Sequence, residues 1–210
     1  MKTYKIIEVF DSLQGEGANT GIPMTFVRFG MCNLECDFCD TNWKDNMGSY
    51  LHNDLIYDLK MRGPAWVCFT GGEPCIQLEV DLVKVLREVG IKVALETNGT
   101  MWNDAIMECD YVTISPKPAL KEIDYQVERW FLSHKPQYQT LEVRFIVKVT
   151  TKQIPQLPIL KAANHICLSP MFYQNAMLDI AFQNALELIK QNREQGWRVS
   201  VQTHKMLGVR

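Results

Sequence analysis

A set of three closely spaced cysteines is the sharpest chemical signal in the sequence. Cys32, Cys36 and Cys39 stand in the order Cys-x-x-x-Cys-x-x-Cys, directly after a strand-like run. Because iron–sulfur clusters are usually held by four Cys thiolates, a compact set of three would leave one iron free to bind an outside ligand. A structural zinc site would recruit a fourth protein ligand at similar spacing, and the nearest histidine is the more distant His52. The triad therefore favours an iron–sulfur cluster over zinc.

A glycine-rich segment adds a second candidate site. The sequence TGGEP at residues 70–74 comes directly after an apolar run at residues 66–69. The two glycines let backbone groups approach a ligand closely, and Glu73 supplies a charge that can pair with an ammonium group. Gly-Gly turns are common after strands, so this segment alone is explained equally well as a plain turn. Together with the cysteine triad it indicates a ligand-binding loop.

The triad followed by this loop resembles the radical SAM superfamily, whose members use S-adenosylmethionine (SAM) and a 4Fe–4S cluster. In that superfamily the open iron binds the amino and carboxylate groups of SAM. Reduction then cleaves SAM to a 5′-deoxyadenosyl radical, which takes a hydrogen atom from the substrate. The resemblance implies that Cys32, Cys36 and Cys39 hold the cluster. Because the cluster and SAM carry the chemistry, no further catalytic residue is expected, and the protein supplies binding and orientation.

Within that superfamily the whole chain resembles the 7-carboxy-7-deazaguanine synthase family. The matching segments are SLQGEG at residues 12–17, FVRF at 26–29, CDT at 39–41, TGGEP at 70–74, ETNG at 96–99, SPK at 115–117 and QTHK at 202–205. The resemblance implies conversion of 6-carboxy-5,6,7,8-tetrahydropterin to 7-carboxy-7-deazaguanine with loss of ammonia, with SAM regenerated and Mg²⁺ assisting. It also implies a reductant such as flavodoxin, and a homodimer.

The same resemblance assigns roles to individual residues. The expected contacts to the carboxypterin substrate come from Leu13, Gln14, Gly15, Arg28, Thr70, His204 and the terminal Arg210. The expected contacts to SAM come from Gly72, Glu73, Glu96, Ser115, Pro116, Lys117, Ser169 and Met171. Thr41 is expected to bind Mg²⁺, a hard ion that prefers oxygen ligands and keeps several waters.

The chemistry of these side chains supports part of the assignment. A pterin presents donors and acceptors along one edge, and Gln14 offers both kinds of group. Arg28 is suited to fork onto the substrate carboxylate, and His204 can donate or accept near neutral pH. Arg28 lies in an apolar run, however, so an internal ion pair with Glu8 or Glu16 is the competing explanation of its charge.

Two positions depart from the family pattern. Ser169 begins a Ser-Pro-Met segment where the family has a glutamine-proline-methionine-like one, so a side-chain contact from this position to SAM is less well supported than a backbone contact. Arg144 stands where the family pattern has lysine. Because the two cations are not interchangeable at a bidentate site, Arg144 is not assigned to the site.

The elements that must position these residues alternate between strands and helices. Strand-like runs occupy residues 4–10, 25–29, 66–69, 92–95, 111–114, 142–149, 165–168 and 198–202, and helix-like stretches occupy 51–61, 78–89, 101–107, 121–133, 156–163 and 176–194. This alternation predicts an α/β fold with a mostly parallel sheet. A full eightfold barrel usually needs about 250 residues. We therefore predict a shortened, partly closed (β/α) barrel of the radical SAM type, formed by a single domain over residues 1–210, with ligand-binding loops after the strands.

Bulk composition restricts the function classes further. The chain is 47% hydrophobic and 22% charged with a formal net charge of -2, which is typical of a globular protein and gives no electrostatic case for nucleic-acid binding. It lacks the roughly 20 consecutive apolar residues that a membrane-spanning helix needs, and its start does not resemble a signal peptide. Seven cysteines, an odd number, favour a reduced compartment over a disulfide framework, so a cytoplasmic enzyme is predicted. The cysteines outside the triad lie in or beside apolar runs and are interpreted as core residues: Cys68, Cys75, Cys109 and Cys167.

Two alternatives stay open on the residues alone. A radical SAM activase that installs a glycyl radical on a large protein partner also uses the Cys-x-x-x-Cys-x-x-Cys spacing and is of comparable length. A non-catalytic module in which the three cysteines hold zinc for a protein interaction is the second. The LQGEG and THK segments favour the pterin enzyme over the activase, and metal content would separate the zinc module from both.

Overall fold

The computed structural model describes residues 2–42, 47–117, 122–172 and 177–209. The described strands are β1 (Thr3–Leu13), β2 (Pro23–Phe29), β3 (Gly48–Leu51), β4 (Trp66–Gly71), β5 (Lys92–Thr97), β6 (Tyr111–Ile114), β7 (Thr140–Val147), β8 (His165–Pro170) and β9 (Arg198–Val199). The described α-helices are α1 (His52–Arg62), α2 (Val80–Glu88), α3 (Tyr125–Ser133), α4 (Met177–Gln191) and α5 (Thr203–Leu207). None of the described helices is both long enough and apolar enough to cross a bilayer.

All of these strands belong to one sheet with the order β3-β1-β2-β4-β5-β6-β7-β8-β9. From β2 to β9 every neighbouring pair runs parallel, whereas β1 lies antiparallel to both β2 and β3. Within the described residues the edge strands β3 and β9 do not pair with each other, so the barrel is not closed. The predicted α/β fold with a mostly parallel sheet is confirmed.

The two faces of the sheet carry different side chains, because successive residues of a strand point to opposite sides. In β2, Val27 and Phe29 belong to the large hydrophobic core, whereas Phe26 belongs to a second, smaller cluster and Arg28 lines a cavity. The large core joins alternate residues of the parallel strands to the apolar faces of α1 to α4. The helices therefore cover one face of the sheet and leave the other face for the cavity.

The smaller cluster lies on the cavity face, among strand residues that precede the cavity-lining ones. Phe10 and Phe26 stack there with ring centroids 5.2 Å apart, and both also line the cavity. The other buried members of this cluster are Met24, Cys68, Ala94 and Tyr111. This apolar layer therefore forms part of the cavity floor, and the polar residues that follow it along the strands line the space above.

Some predicted elements differ from the observed ones. The helices predicted over residues 101–107 and 156–163 are short 3-10 helices, Asp104–Glu108 and Pro158–Ala162. In the second of these, proline at the start and the shortness of the connection favour a single tight turn over an α-helix. The strand predicted over residues 198–202 ends at Val199. Strand β3 and helix α5 were not predicted.

Candidate functional site

A cavity of about 870 Å³ opens at the carboxyl ends of the parallel strands. Most of the residues that were predicted to bind ligands line this cavity: Leu13, Gln14, Gly15, Arg28, Cys32, Cys36, Cys39, Thr41, Thr70, Gly72, Glu96, Ser115, Lys117, Ser169, Met171 and His204. Glu73 and Pro116 are not part of the lining, and Arg210 lies outside the described residues. Motifs that are far apart in the sequence therefore meet in one place.

The cysteine triad lies on the loop after β2. Cys32 and Cys36 are partly buried and Cys39 is exposed, whereas the four other cysteines are buried, which confirms their predicted core positions. Local hydrogen bonds shape the loop: the Leu34 N–H lies 3.5 Å from Cys32 Sγ, and the Cys39 thiol donates to the carbonyl of Thr41 at 3.3 Å. Burial raises the pKa of the Cys32 and Cys36 thiols, so iron binding must displace their protons.

The described residues do not form a ready-made site for a single metal ion. Among the described residues, no three His, Cys, Asp or Glu side chains meet at a point where one metal ion could bind. A tetrahedral zinc site needs its ligands within about 2.3 Å of one ion. A 4Fe–4S cluster takes each thiolate on a different iron, so it does not require the three thiols to converge on one ion.

The glycine-rich loop after β4 lies directly against the cysteine loop. Gly72 N donates to the carbonyl of Phe29 and Glu73 N donates to the carbonyl of Met31, both at 2.9 Å. Met31 takes a left-handed φ of 66°, which is rare for a residue with a side chain. A Cβ on Gly72 would overlap the Met31 carbonyl oxygen, at 1.9 Å. Only glycine at position 72 lets the two loops approach this closely.

The Glu73 side chain lies inside the protein and is not part of the cavity lining. Glu73 is fully buried. Its carboxylate accepts from Cys75 N at 3.0 Å, from the Thr97 hydroxyl at 2.7 Å and from Asn98 N at 2.8 Å. Through these hydrogen bonds the carboxylate ties the glycine-rich loop to the end of β5, and a contact from Glu73 to SAM stays a prediction.

A row of polar residues crosses the cavity face of the sheet. Strand register places Arg28 beside Thr70, and Glu96 beside Thr113. The Thr70 hydroxyl donates to Glu96 Oε2 at 3.0 Å, and Gln14 Nε2 donates to Glu96 Oε1 at 3.1 Å. Glu96, predicted among the SAM residues, is thus hydrogen-bonded to two residues predicted for the substrate.

Arg28 makes the internal ion pair that its sequence position allowed, and it also lines the cavity. Its Nε donates to Glu8 Oε1 at 2.8 Å, which is the internal ion pair considered above. Its Nη1 donates to the Thr41 hydroxyl at 3.3 Å, and its side chain is only 26% exposed while it lines the cavity. The guanidinium is thus fixed by Glu8 and still faces the space where a ligand would lie.

Arg144 also lines the cavity, although the sequence pattern had excluded it. It is 5% exposed and makes ion pairs with three carboxylates, those of Glu16, Glu96 and Glu142. Burial alone would raise the pKa of Glu142, but the charge of Arg144 and donated hydrogen bonds lower it overall. Tyr111 is one of those donors, and burial together with the Glu142 charge raises the pKa of its hydroxyl far above the usual range.

The carboxyl-terminal helix α5 covers one side of the cavity. Thr203 donates to the carbonyl of Gly15 through its backbone N–H at 2.9 Å and its hydroxyl at 3.0 Å. A Cβ on Gly15 would overlap the His204 ring. Lys205 Nζ donates to Asp40 Oδ2 at 2.6 Å, which joins α5 to the cysteine loop. Burial alone would raise the pKa of Asp40, but its contact with Lys205 lowers it overall.

The remaining predicted SAM residues occupy the far side of the cavity. Lys117 Nζ donates to the Ser115 hydroxyl at 3.2 Å. Ser169 is buried, and its hydroxyl donates to the carbonyl of Ser200 at 2.9 Å, so the side chain is held within the protein. Met171 lines the cavity with a backbone N–H bonded to Val147. Residues not predicted that line the same space include Phe38, Asp40, Thr113 and Lys205. Asp40 and Lys205 lie inside the CDT and QTHK segments, which could have pointed to them, whereas Phe38 and Thr113 belong to no motif named above.

Comparison with known sequences and structures agrees with this geometry. The Radical SAM superfamily model matches residues 26–129, a span that includes the cysteine triad and the glycine-rich loop. A 7-carboxy-7-deazaguanine synthase from Neisseria meningitidis is 36% identical over 212 residues, covering 98% of this chain and 94% of the relative. One from Bacteroides thetaiotaomicron is 35% identical over 207 residues, covering 98% of each chain. The crystal structure of QueE from Escherichia coli has a TM-score of 0.71 at 26% identity and covers 96% of this chain and 95% of its own.

Proposed function

The chain belongs to the 7-carboxy-7-deazaguanine synthase family of the radical SAM superfamily, and we propose that its cavity converts 6-carboxy-5,6,7,8-tetrahydropterin to 7-carboxy-7-deazaguanine with loss of ammonia. It is a radical SAM enzyme that uses SAM and a 4Fe–4S cluster and acts on a small molecule. One observation carries the proposal: the family motifs for cluster, SAM and substrate line a single cavity at the carboxyl ends of the strands.

The cysteine loop would hold the cluster at one wall of this cavity. Cys32, Cys36 and Cys39 supply three thiolates, which leaves one iron for SAM. When bound, the cluster and SAM supply a 5′-deoxyadenosyl radical that removes a hydrogen atom from the substrate. The contact between the cysteine loop and Gly72 keeps the glycine-rich loop within reach of that iron, and the apolar layer at Phe10 and Phe26 keeps water from the far end.

SAM would lie between the cysteine loop and the ends of β4, β6 and β8. Gly72, Ser115, Lys117 and Met171 line this part of the cavity. A buried Ser169 hydroxyl favours backbone contacts from the segment that it begins, as its departure from the family pattern suggested. Pro116 is buried behind the lining and would act only by shaping the loop.

The carboxypterin would lie beside the row formed by Arg28, Thr70 and Glu96. Arg28 offers two donors to a carboxylate in fork geometry. Gln14 and Glu96 together offer donors and acceptors to the amide-like edge of the ring, and Glu96 is already oriented by Thr70. His204, held against Gly15, would cover the substrate from the side of α5. Leu13 adds an apolar contact near the mouth.

We place Mg²⁺ at Thr41. The hydroxyl of Thr41 is an oxygen ligand of the type that Mg²⁺ prefers, and the substrate carboxylate with waters would complete the shell. The Asp40 carboxylate next to it is paired with Lys205, so it contributes negative potential near this position without being free to move. Arg28 would then orient the same carboxylate from the other side.

The setting of the reaction follows by family resemblance. We propose a reductant such as flavodoxin, a homodimer and a cytoplasmic location, with the whole of residues 1–210 acting as one domain. Buried, unpaired cysteines outside the triad suit a reduced compartment.

The proposal is tested by reconstituting the protein anaerobically with iron and sulfide and adding SAM, a reductant, Mg²⁺ and 6-carboxytetrahydropterin. Mass spectrometry should detect 7-carboxy-7-deazaguanine, formed with catalytic SAM. The Cys36→Ala variant should lose the cluster and all SAM cleavage, whereas Cys109→Ala, which changes a buried core thiol, should retain both. SAM cleavage without that product would favour the glycyl-radical activase, and zinc without iron or sulfide would favour the non-catalytic module.

A further inference from the structure

We infer that Arg144 is a positioning residue for this reaction, which holds the carboxylates of Glu96 and Glu16 in place at the cavity wall. The inference rests on the proposed function, because it concerns the carboxypterin side of the same cavity. The contacts of Arg144, and not a sequence motif, point to this role.

The guanidinium of Arg144 is anchored from one side by Glu142. Its Nε and Nη2 each lie 2.7 Å from Glu142 Oε1. Glu142 is fully buried, and its Oε2 accepts from the Tyr111 hydroxyl and the Ala18 N–H, both at 2.7 Å. These contacts fix the plane of the guanidinium and leave Nη1 to bind other partners.

That remaining nitrogen bridges two carboxylates that line the cavity. Arg144 Nη1 lies 2.8 Å from Glu16 Oε2 and 3.3 Å from Glu96 Oε1. The same oxygen of Glu96 accepts from Gln14. Arg144 therefore sets the positions of a carboxylate and, through it, of an amide that the proposed function assigns to substrate binding.

Charge explains why a cation is needed at this place. Glu16 and Glu96 both contact one nitrogen, so their carboxylates are close together and would repel each other without the guanidinium. A lysine ammonium is a point charge and cannot contact Glu142 through two nitrogens while a third nitrogen bridges the other two carboxylates. In this chain, whose Arg144 replaces the lysine of the family pattern, the shape of arginine therefore contributes as well as its charge.

The experiment compares Arg144→Lys and Arg144→Met with the wild-type holoenzyme. Both variants should raise the KM for 6-carboxytetrahydropterin at least about tenfold, the equivalent of about one charge-assisted hydrogen bond. Iron content and the dissociation constant of SAM should change by less than about twofold, because the proposed function places Glu96 beside the carboxypterin and leaves SAM to Gly72, Ser115, Lys117 and Met171. The matched control is Arg87→Lys: Arg87 also pairs with two carboxylates, Glu108 and Asp110, but outside the cavity, and this variant should keep the wild-type KM.

A double-mutant cycle distinguishes positioning from direct contact. If Arg144 acts through Glu96, the Arg144→Lys change should cost markedly less in a Glu96→Gln background than in the wild type. Additive effects, or a wild-type KM in Arg144→Lys, would overturn the inference. So would failure of both variants to give folded protein with normal iron content, since Arg144 would then be a structural residue. Wild-type protein that binds SAM but neither binds nor converts the carboxypterin would overturn the proposed function instead.

Discussion

Arg28 is the residue whose substitution most directly tests the substrate side of the cavity. Its Nε is paired with Glu8 and its Nη1 contacts Thr41. Arg28→Ala should weaken the binding of 6-carboxytetrahydropterin at least about tenfold, because a charge-assisted pair to the substrate carboxylate is lost. SAM binding, measured in the same preparation by calorimetry, should stay near the wild-type value.

The control for this change is Arg62→Ala. Arg62, the last residue of α1, pairs with Asp11 on β1 and with Asp58 on α1, and it does not line the cavity. Loss of its side chain should therefore leave substrate affinity unchanged. Equal carboxypterin affinity in wild type and Arg28→Ala would return Arg28 to a structural role as the partner of Glu8.

A substitution at Gly72 tests the contact between the glycine-rich loop and the cysteine loop. An alanine there would place its Cβ 1.9 Å from the backbone oxygen of Met31, so one of the two loops must move. We expect Gly72→Ala to lose most SAM affinity, because the glycine-rich loop could no longer lie against the cysteine loop. Gly48→Ala is the control, since its Cβ would meet only ordinary contacts at 3.4 Å or more. Normal SAM binding by Gly72→Ala would show that the close loop contact is unnecessary.

Single residues also show the limits of sequence patterns. The position of Glu73 within TGGEP pointed to a ligand contact, but burial against Thr97 and Asn98 gives its carboxylate an internal role. Arg144 was not assigned to the site because the family pattern has lysine at that position. Its importance depends on Glu16, Glu96 and Glu142 converging on it, and those contacts arise from strand register and from the loop after β1, which a motif does not encode.

Among the secondary-structure elements, helix α5 is the one whose attachment to the cavity can be tested. Lys205 joins this helix to the cysteine loop through Asp40, while Thr203 joins it to Gly15. Lys205→Met should raise the KM for the carboxypterin by about fivefold, the equivalent of about 1 kcal/mol, because His204 is less firmly held over the cavity. The melting temperature should fall by less than about 2 °C, as expected for a partly exposed pair.

Lys190→Met is the matched control for the helix prediction. Lys190 forms an exposed pair with Glu187 on α4, so both KM and melting temperature should stay at wild-type values. A large fall in melting temperature with unchanged KM for Lys205→Met would mean that α5 stabilises the fold without positioning His204.

The helices and strands could be predicted from the sequence where the hydrophobic periodicity is regular over many residues. The parallel strands and α1 to α4 follow from alternating apolar runs and amphipathic stretches. β3 was missed because its four residues, Gly48–Leu51, are mostly exposed and carry no alternation. α5 was missed because five residues without a buried face give no periodic signal; its place is fixed by hydrogen bonds to the loop after β1.

At the scale of the whole molecule, the sheet brings distant motifs together by register. Arg28 pairs in register with Thr70, Glu96 with Thr113, and Thr113 with Glu142. Sequence reasoning placed reactive loops after the strands but not this row within them, since the row depends on which residue of each strand lies opposite its neighbour. The open form of the sheet likewise depends on long-range pairing at its edges.

Glu142 is the residue through which this arrangement affects global stability. Its pKa is lowered below the ordinary value of 4.5, mainly by Arg144 acting against the effect of burial. The ionised carboxylate therefore stabilises the fold above that value, and this contribution is lost as the pH falls through the lowered pKa. At pH 7, Glu142→Gln should reduce the free energy of unfolding by about 1.5–3 kcal/mol, because the charge-assisted bonds to Arg144 are lost while Glu16 and Glu96 still compensate its charge.

Urea unfolding of the cluster-free protein between pH 7 and pH 3 would measure this effect. The difference between wild type and Glu142→Gln should shrink as the pH falls, because protonation removes from the wild type the same charge that the substitution removes. Glu187→Gln, which changes an exposed pair, should stay within about 0.5 kcal/mol of wild type throughout. If the difference for Glu142→Gln stayed constant over this pH range, Glu142 would contribute through packing and not through its buried charge. The contacts from Glu142 through Arg144 to the cavity wall would then not depend on ionisation of Glu142.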